Sequence, residues 1–241
     1  MNGKMRLDKY MVDASLVVSR SQAESFIKLG QVTVNGNVVT RAGTLVTASD
    51  QVELQAKEQY VSRAGLKLAS VSSTLKLDFR GKTVLDVGSS TGGFTDYALK
   101  HGATKVIAVE LGTNQLHPSL HGDTRIELHE QTDIRTFKTK ERIDIVVADV
   151  SFISLQEILP AVAQLCNRNT HIVAMVKPQF EARNSNVKHH GVIKNERVRR
   201  DILQQFEQWA KQTFVVLDKA DSDIAGAKGN RERFYLLKLA R

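Results

Sequence analysis

The chain has 241 residues, with 34 Lys+Arg against 26 Asp+Glu, a net charge of +8 that favours an anionic partner without naming one. Its one cysteine, Cys166, excludes an internal disulfide and fits a reducing compartment, the cytoplasm. The N-terminus, Met1-Asn-Gly-Lys-Met-Arg-Leu-Asp, has no apolar core of the signal-peptide kind, and no run approaches ~18 uninterrupted apolar residues, which excludes a spanning helix. In chain order, Leu7, Tyr10, Met11 and Leu16 line a short helix. Ser21-Gln-Ala-Glu24 reads as a capping box that opens a second helix through Phe26, Ile27 and Leu29, which Gly30 ends. Residues 31–34 alternate as a strand, Asn35-Gly36 is a two-residue hairpin turn, and residues 37–39 return. Residues 44–46 and 51–54 are further short strands, and residues 57–61 form a linker.

Arg6-Leu-Asp-Lys9-Tyr, Ser19-Arg20-Ser21-Gln-Ala and Ile27-Lys28-Leu-Gly30-Gln-Val-Thr-Val-Asn35-Gly36 together resemble the RNA-binding domain first known in small-subunit ribosomal protein four. The resemblance implies a small α+β domain over 1–58 whose Arg6, Arg20, Ser21 and Lys28 meet RNA phosphates, a contact that positions RNA without reading its sequence. Residues 1–58 hold 7 Lys/Arg and 6 Asp/Glu, so any RNA affinity comes from a local patch rather than from bulk charge.

From residue 62 the pattern alternates. Helices are expected at 66–77, 155–165 and 195–212. Strands are expected at 83–87, 105–109, 126–129, 143–148, 172–176, 214–217 and 234–239. Such alternation predicts an α/β fold with a doubly wound, mainly parallel sheet and helices on both faces. The first strand runs into Asp86-Val-Gly88-Ser89-Ser-Thr-Gly92-Gly-Phe94, a glycine-rich turn that brings backbone close to a small ligand. Asp86 suits a ligand ammonium or the organisation of the loop. The spacing is not G-x-G-x-x-G, and no Gly-Lys-Ser/Thr follows, so neither a dinucleotide nor a P-loop phosphate is indicated. Glu110 ends the next strand, where an acid accepts both ribose hydroxyls of a nucleoside, and Asp133 follows the third strand, within reach of an adenine amino group. An adenosine without pyrophosphate points to S-adenosyl-L-methionine (SAM).

Four charged residues stand near strand ends or ligand-facing turns: Lys67, Asp149, Lys177 (with Pro178 blocking helix continuation) and Glu232, the last entering from the opposite strand direction. Ser62-Arg63-Ala64-Gly-Leu-Lys67, Asp86-Val-Gly-Ser-Ser-Thr-Gly-Gly-Phe94, Asp149-Val-Ser-Phe-Ile-Ser, Val176-Lys177-Pro-Gln-Phe-Glu181 and Gly229-Asn-Arg-Glu232 resemble the TlyA (hemolysin A) family within the FtsJ/RrmJ class. Ala64 stands where that family has glycine, and Asp223 where proline is common. The resemblance implies a Rossmann-like SAM-dependent methyltransferase domain over 59–241 and a Lys67-Asp149-Lys177-Glu232 catalytic tetrad. It also implies methylation of a cytidine ribose 2′-hydroxyl in ribosomal RNA, with ribosomal subunits as partners. SAM-binding residues are then Asp86, Gly88, Ser89, Gly92, Phe94, Glu110 and Asp133.

A ribose hydroxyl is a poor nucleophile, so positioning supplies much of the rate. Lys177 is the expected base, or a charged stabiliser of the alkoxide. Residues 177–200 hold 7 Lys/Arg and 2 Glu; Arg197, Arg199 and Arg200 are expected to meet phosphates, and 181–191, with His189 and His190, to form a flap. No metal is expected, because no framework of ligating side chains accompanies the two histidines. Cys166 reads as core rather than as a nucleophile. A non-catalytic RNA-binding assembly factor is disfavoured by the complete tetrad. A membrane-active cytolysin is disfavoured by the lack of a strongly apolar amphipathic helix.

Overall fold

The computed structural model describes residues 3–17, 19–55, 59–182, 191–226 and 229–240. The N-terminal module consists of β1 (Met5–Arg6), α1 (Leu7–Asp13), α2 (Arg20–Lys28), β2 (Val32–Val34), β3 (Asn37–Val38), β4 (Leu45–Val46) and β5 (Val52–Leu54). β1 pairs with β4, and β3-β2-β5 form a three-stranded antiparallel sheet. Asn35 and Gly36 have φ of 52° and 77°, the two left-handed positions that a tight hairpin of matching twist requires. The capping-box reading of Ser21 is corrected. Ser19 is the N-cap, its Oγ accepting from the Gln22 amide, and Ser21 lies inside α2. Both serines precede an apolar run, and the winner is the one whose extended backbone lets its oxygen turn back on the helix.

The remainder holds α3 (Arg63–Ser72), β6 (Thr83–Val87), α4 (Gly93–Lys100), β7 (Lys105–Val109), β8 (Ile126–His129), β9 (Ile145–Ala148) and α5 (Leu155–Leu165), followed by β10 (His171–Val176), α6 (Pro178–Glu181), α7 (Glu196–Ala210), β11 (Phe214–Asp221) and β12 (Arg233–Leu239). Pro178 does not stop a helix. It opens α6 at the first helical position, where its missing N–H costs nothing. Cys166 lies just past the end of α5 and is half-buried; burial pushes its thiol up to about 12, so it is not a nucleophile near neutrality.

The seven strands run in the order β11-β12-β10-β9-β6-β7-β8. β12 alone is antiparallel to its neighbours. Interior strands read as unbroken apolar runs because both faces are covered. Alternate residues go to opposite faces, as period two demands. On β6 and β10, Val84, Val173 and Met175 pack with Leu68, Phe94 and Tyr97 of α3 and α4, and that core continues into Leu7, Met11 and Phe26 of the N-terminal module. Leu85, Ile172 and Ala174 pack with Ile158 and Leu159 of α5 and Leu203 and Phe206 of α7. Among the described residues no helix is long and apolar enough to cross a membrane.

Two features aim the molecule at one edge of the sheet. The chain leaves β6 for β7 on one side and returns to β9 on the other, so the crevice at the carboxyl ends of β6 and β9 is a topological switch point. Val87 is level with Val109 and Ala148, which puts the following loops at the same height. At α3, a Cβ on Gly65 would stand 2.6 Å from Tyr60 Cγ and 2.9 Å from the Gly93 carbonyl. Only glycine allows α3 to approach α4 this closely, and that approach carries Lys67 toward the glycine-rich turn.

Candidate active site

Asp86 is the last but one residue of β6 and is fully buried. Thr95 Oγ1 donates to its Oδ2 at 2.6 Å, while Oδ1 has no partner. Burial pushes the carboxyl up to about 7, against the Thr95 hydrogen bond; Asp149 and Glu110 add to the rise. A buried carboxylate with one unused oxygen is built to receive a cation. Ser89 Oγ, also buried and unpartnered, lies beside it in the turn. Gly88 has φ of 78°, and a Cβ there would meet the Asp149 carbonyl at 2.9 Å, so this position of the turn tolerates no side chain. Gly92, at φ 84°, is the N-cap of α4. Phe94 packs against Phe234, ring centroids 6.0 Å apart.

Two cavities open at this edge. The larger, about 790 Å³, is lined by Gly88, Glu110, Asp133 and Asp149 among others. It is of the size that takes a nucleoside-sized ligand. Glu110 holds the amide of Ser90 on one carboxylate oxygen (2.9 Å) and that of Gly112 on the other (2.7 Å). Asp133 is gripped by the fork of Arg135, which holds its carboxyl below the usual range. The smaller cavity, about 240 Å³, is lined by Lys67, Asp86, Ser89, Phe94, Asp149 and Lys177, with Arg63 at its wall. Gly88, Ser90, Asp149 and Ser151 line both cavities, so the two meet there.

The four charged residues expected to act together form two ion pairs. Lys67 Nζ lies 2.5 Å from Glu232 Oε2, and Lys177 Nζ 2.6 Å from Asp149 Oδ1. Glu232 arrives because β12 is antiparallel: Arg233 pairs with Val176, so the start of β12 stands beside Lys177 at the end of β10. Burial pushes the Glu232 carboxyl up, and Lys67 only partly offsets it. The acceptor oxygens Glu232 Oε2 and Asp149 Oδ1 meet no strict hydrogen-bond geometry, and charge attraction is the larger part of what Lys67 does to Glu232. Lys177 Nζ does donate a hydrogen bond to Ser151 Oγ at 2.7 Å.

Sequence reasoning passed over Ser151, Arg63 and Phe152, although each lies inside a quoted motif. Phe152 is 74% exposed at φ of 67°, a conformation that bulky residues adopt only under constraint, and its ring is 5.3 Å from that of Phe180. It lines the larger cavity. A hydroxyl and an aromatic just past a strand-end acid are the signal that was there to be read.

On the N-terminal module, Arg6, Arg20, Ser21 and Lys28 are exposed. Asp8, buried, accepts from Arg6 Nε and Nη2 and from Arg20 Nη2 at 2.7 Å. The Arg6 hydrogen bonds, helped by Arg20 against burial, hold its carboxyl down to about 2. One carboxylate thus fixes two arginines side by side. Arg197 and Arg200 are exposed on α7. The expectation for Arg199 is overturned. It is buried, donates to the Arg231 carbonyl at 3.0 Å and to Asp221 at 2.7 Å, and braces the turn before Glu232. His189 and His190, with most of the expected flap, lie outside the described residues.

The chain is similar to known proteins along its whole length. The FtsJ-like methyltransferase family matches residues 60–239, and the S4 domain matches residues 5–52. The chain is 39% identical to a protein named Hemolysin A from Brachyspira hyodysenteriae, over 95% of this chain and 97% of that one. It is 34% identical to the 16S/23S rRNA (cytidine-2′-O)-methyltransferase TlyA of Mycobacterium tuberculosis, over 99% and 91%. A solved structure described as a hemolysin from Streptococcus thermophilus superposes with a TM-score of 0.73 at 33% identity, covering 100% of this chain and 90% of that one. The switch-point crevice, whose inner cavity is lined by the lysines of both ion pairs, is therefore that of a chain belonging to the FtsJ-like methyltransferase family, with an S4 domain ahead of it.

Proposed function

We propose that this protein methylates the ribose 2′-hydroxyl of a cytidine in ribosomal RNA, using SAM, on ribosomal subunits in the cytoplasm. The observation that carries the reading is the junction of the two cavities at Gly88, Asp149 and Ser151, with Lys177 on the inner side and Glu110 on the outer. When bound, SAM supplies a methyl group activated by its sulfonium charge. Asp86 Oδ1 and Ser89 Oγ, buried and unpartnered, suit the ammonium and carboxylate of its methionine part. Glu110 suits the ribose hydroxyls, and Asp133 the adenine edge. Gly88 and Gly92 shape the turn, and Phe94 closes its inner wall.

Lys177 either takes the 2′-hydroxyl proton during attack or, as an ammonium, stabilises the developing alkoxide while water takes the proton. Asp149 holds Lys177, and the Lys67–Glu232 pair flanks the acceptor ribose. Phe152, beside Phe180 at the mouth, offers an aromatic face on which an extruded base can stack. Residues 1–58 act as the RNA-binding domain through Arg6, Arg20, Ser21 and Lys28, and 59–241 as the methyltransferase domain; Arg197 and Arg200 add phosphate contacts. The relative from M. tuberculosis is named for both 16S and 23S rRNA, so both subunits belong in the test.

The test is methyl transfer from labelled SAM to separated ribosomal subunits, with the modified ribose mapped. Lys177→Ala is expected to lower transfer by at least ~10²–10³-fold while SAM still binds. Substantial transfer by that variant, or label on a base, defeats the reading. A rate that rises with pH through an ionisation near or above neutrality assigns the base role, and a flat profile there assigns the stabiliser.

A further inference from the structure

Lys177 has two close polar neighbours among the described residues, and they constrain it differently. Asp149 Oδ1 is 2.6 Å away but satisfies no hydrogen-bond geometry, so it supplies charge. Ser151 Oγ, at 2.7 Å, accepts a hydrogen bond from Lys177 Nζ. Coulomb attraction depends on distance alone, whereas a hydrogen bond weakens steeply off line. A lysine on its flexible four-carbon stem is therefore drawn in by Asp149 yet left free to swing about it.

Ser151 is suited to stop that motion. Its side chain has a single rotatable bond to the oxygen, and the loop that carries it is tied down. Ser154 Oγ donates to Glu181 Oε2 at 2.5 Å, and the Leu155 amide donates to Oε1 at 2.8 Å. Glu181 is buried at the end of α6, the helix that begins directly after Lys177. The segments bearing Ser151 and Lys177 are thus braced to each other beyond the site as well as within it. Ser151 also lines both cavities, at the place where the methyl group has to cross.

We propose that Ser151 is a positioning residue that aims the remaining valence of Lys177 Nζ at the ribose 2′-hydroxyl. The proposal rests on Lys177 being the reacting amine of the function proposed above. An amine nitrogen has three positions beyond its carbon. Ser151 fixes one in direction and Asp149 draws a second, which leaves the third for the hydroxyl oxygen. In-line transfer rewards such aim, because a misplacement of about 1 Å costs on the order of 10²-fold in rate.

The experiment is single-turnover methyl transfer to ribosomal subunits by full-length variants, with SAM affinity measured by calorimetry on the same preparations. Ser151→Ala is expected to lower kcat on the order of 10- to 100-fold with KM for RNA and affinity for SAM unchanged. Ser151→Thr, which keeps the hydroxyl, is expected to recover most of the rate. Wild-type kcat in Ser151→Ala beside an inactive Lys177→Ala overturns the role of Ser151 and leaves that of Lys177 intact. Equal loss in the Ala and Thr variants, or a loss of SAM affinity in place of kcat, also overturns it. Full activity of Lys177→Ala overturns the underlying reading instead.

Discussion

Asp86 shows what burial does to a single carboxyl group. Its pKa of about 7 in the folded chain lies well above the ordinary carboxylate range. A carboxyl whose pKa is raised by folding costs the folded state stability once the unfolded chain can ionise it and the folded chain cannot. The sign follows. Below about pH 4 the acid is neutral folded or unfolded and has no effect; stability then falls up to about pH 7 and levels off above. Asp86→Asn, which cannot ionise, is therefore expected to match the parent near pH 4. Near pH 8, without cofactor, it should exceed the parent by roughly a few kcal/mol while binding SAM more weakly. Thermal melts across that range check it, and equal pH slopes in the two proteins would count against the account. The sequence marked Asp86 as an acid ending an apolar run, suited to a ligand ammonium or to organising the loop. It could not announce that one oxygen stays unpartnered, since that depends on Thr95 arriving from α4 to take the other.

At the level of elements, α7 separates two kinds of arginine that look alike in a charge count. Arg199 falls on the face shared by Leu203, Phe206 and Ala210, at helical spacing, and is buried with them; Arg197 and Arg200 point outward. The periodicity was in the sequence, and reading the charges in bulk hid it. Arg197→Glu with Arg200→Glu is expected to leave thermal stability unchanged and to flatten the dependence of RNA affinity on salt by about 1–2 units of log–log slope. Arg199→Met is expected to leave that slope alone, to cost about 1–3 kcal/mol through the hydrogen bonds lost to the Arg231 carbonyl and to Asp221, which keeps Arg233, and to lower kcat because the carbonyl before Glu232 loses its donor. Filter binding at several salt concentrations, with melts alongside, distinguishes the two. The strands at 83–87 and 105–109 were legible to the residue, because a strand covered on both faces is apolar along most of its length. Cap choice at Ser19 was not, because it turns on backbone angles that two nearby serines could equally have adopted.

For the molecule as a whole, the contact between its two parts matters more than its +8 charge. Gln22 Nε2 of α2 donates to the Tyr60 carbonyl at 2.8 Å. The Val61 amide donates to Asp96 at 2.9 Å, and Lys100 Nζ to the Gln59 carbonyl at 2.5 Å. Asp96 and Lys100 lie on α4, the helix that the glycine-rich turn opens into. The segment that joins the RNA-binding module is thus fastened to the helix that shapes the cofactor turn. Asp96→Ala, which removes a hydrogen bond to a charged group worth about 1.5–3 kcal/mol of stability, is expected to raise KM for ribosomal subunits and to leave the N-terminal module folded. An unchanged KM would mean that the fastening has no part in presenting RNA. None of this packing was visible in the sequence, where residues 57–61 read only as a polar connection.

The late position of β12 has a consequence for synthesis. Lys67 and Glu232 are 165 residues apart (232 − 67), and the strand that delivers Glu232 slots between β10 and β11, both made before it. A ribosome adding roughly 5–20 residues per second therefore makes Lys67, Asp149 and Lys177 several seconds before Glu232, the fourth charge, exists. A product interrupted in that interval carries Arg6, Arg20 and the whole glycine-rich turn but no completed pair at Lys67. On the function proposed above, such a product binds RNA without methylating it.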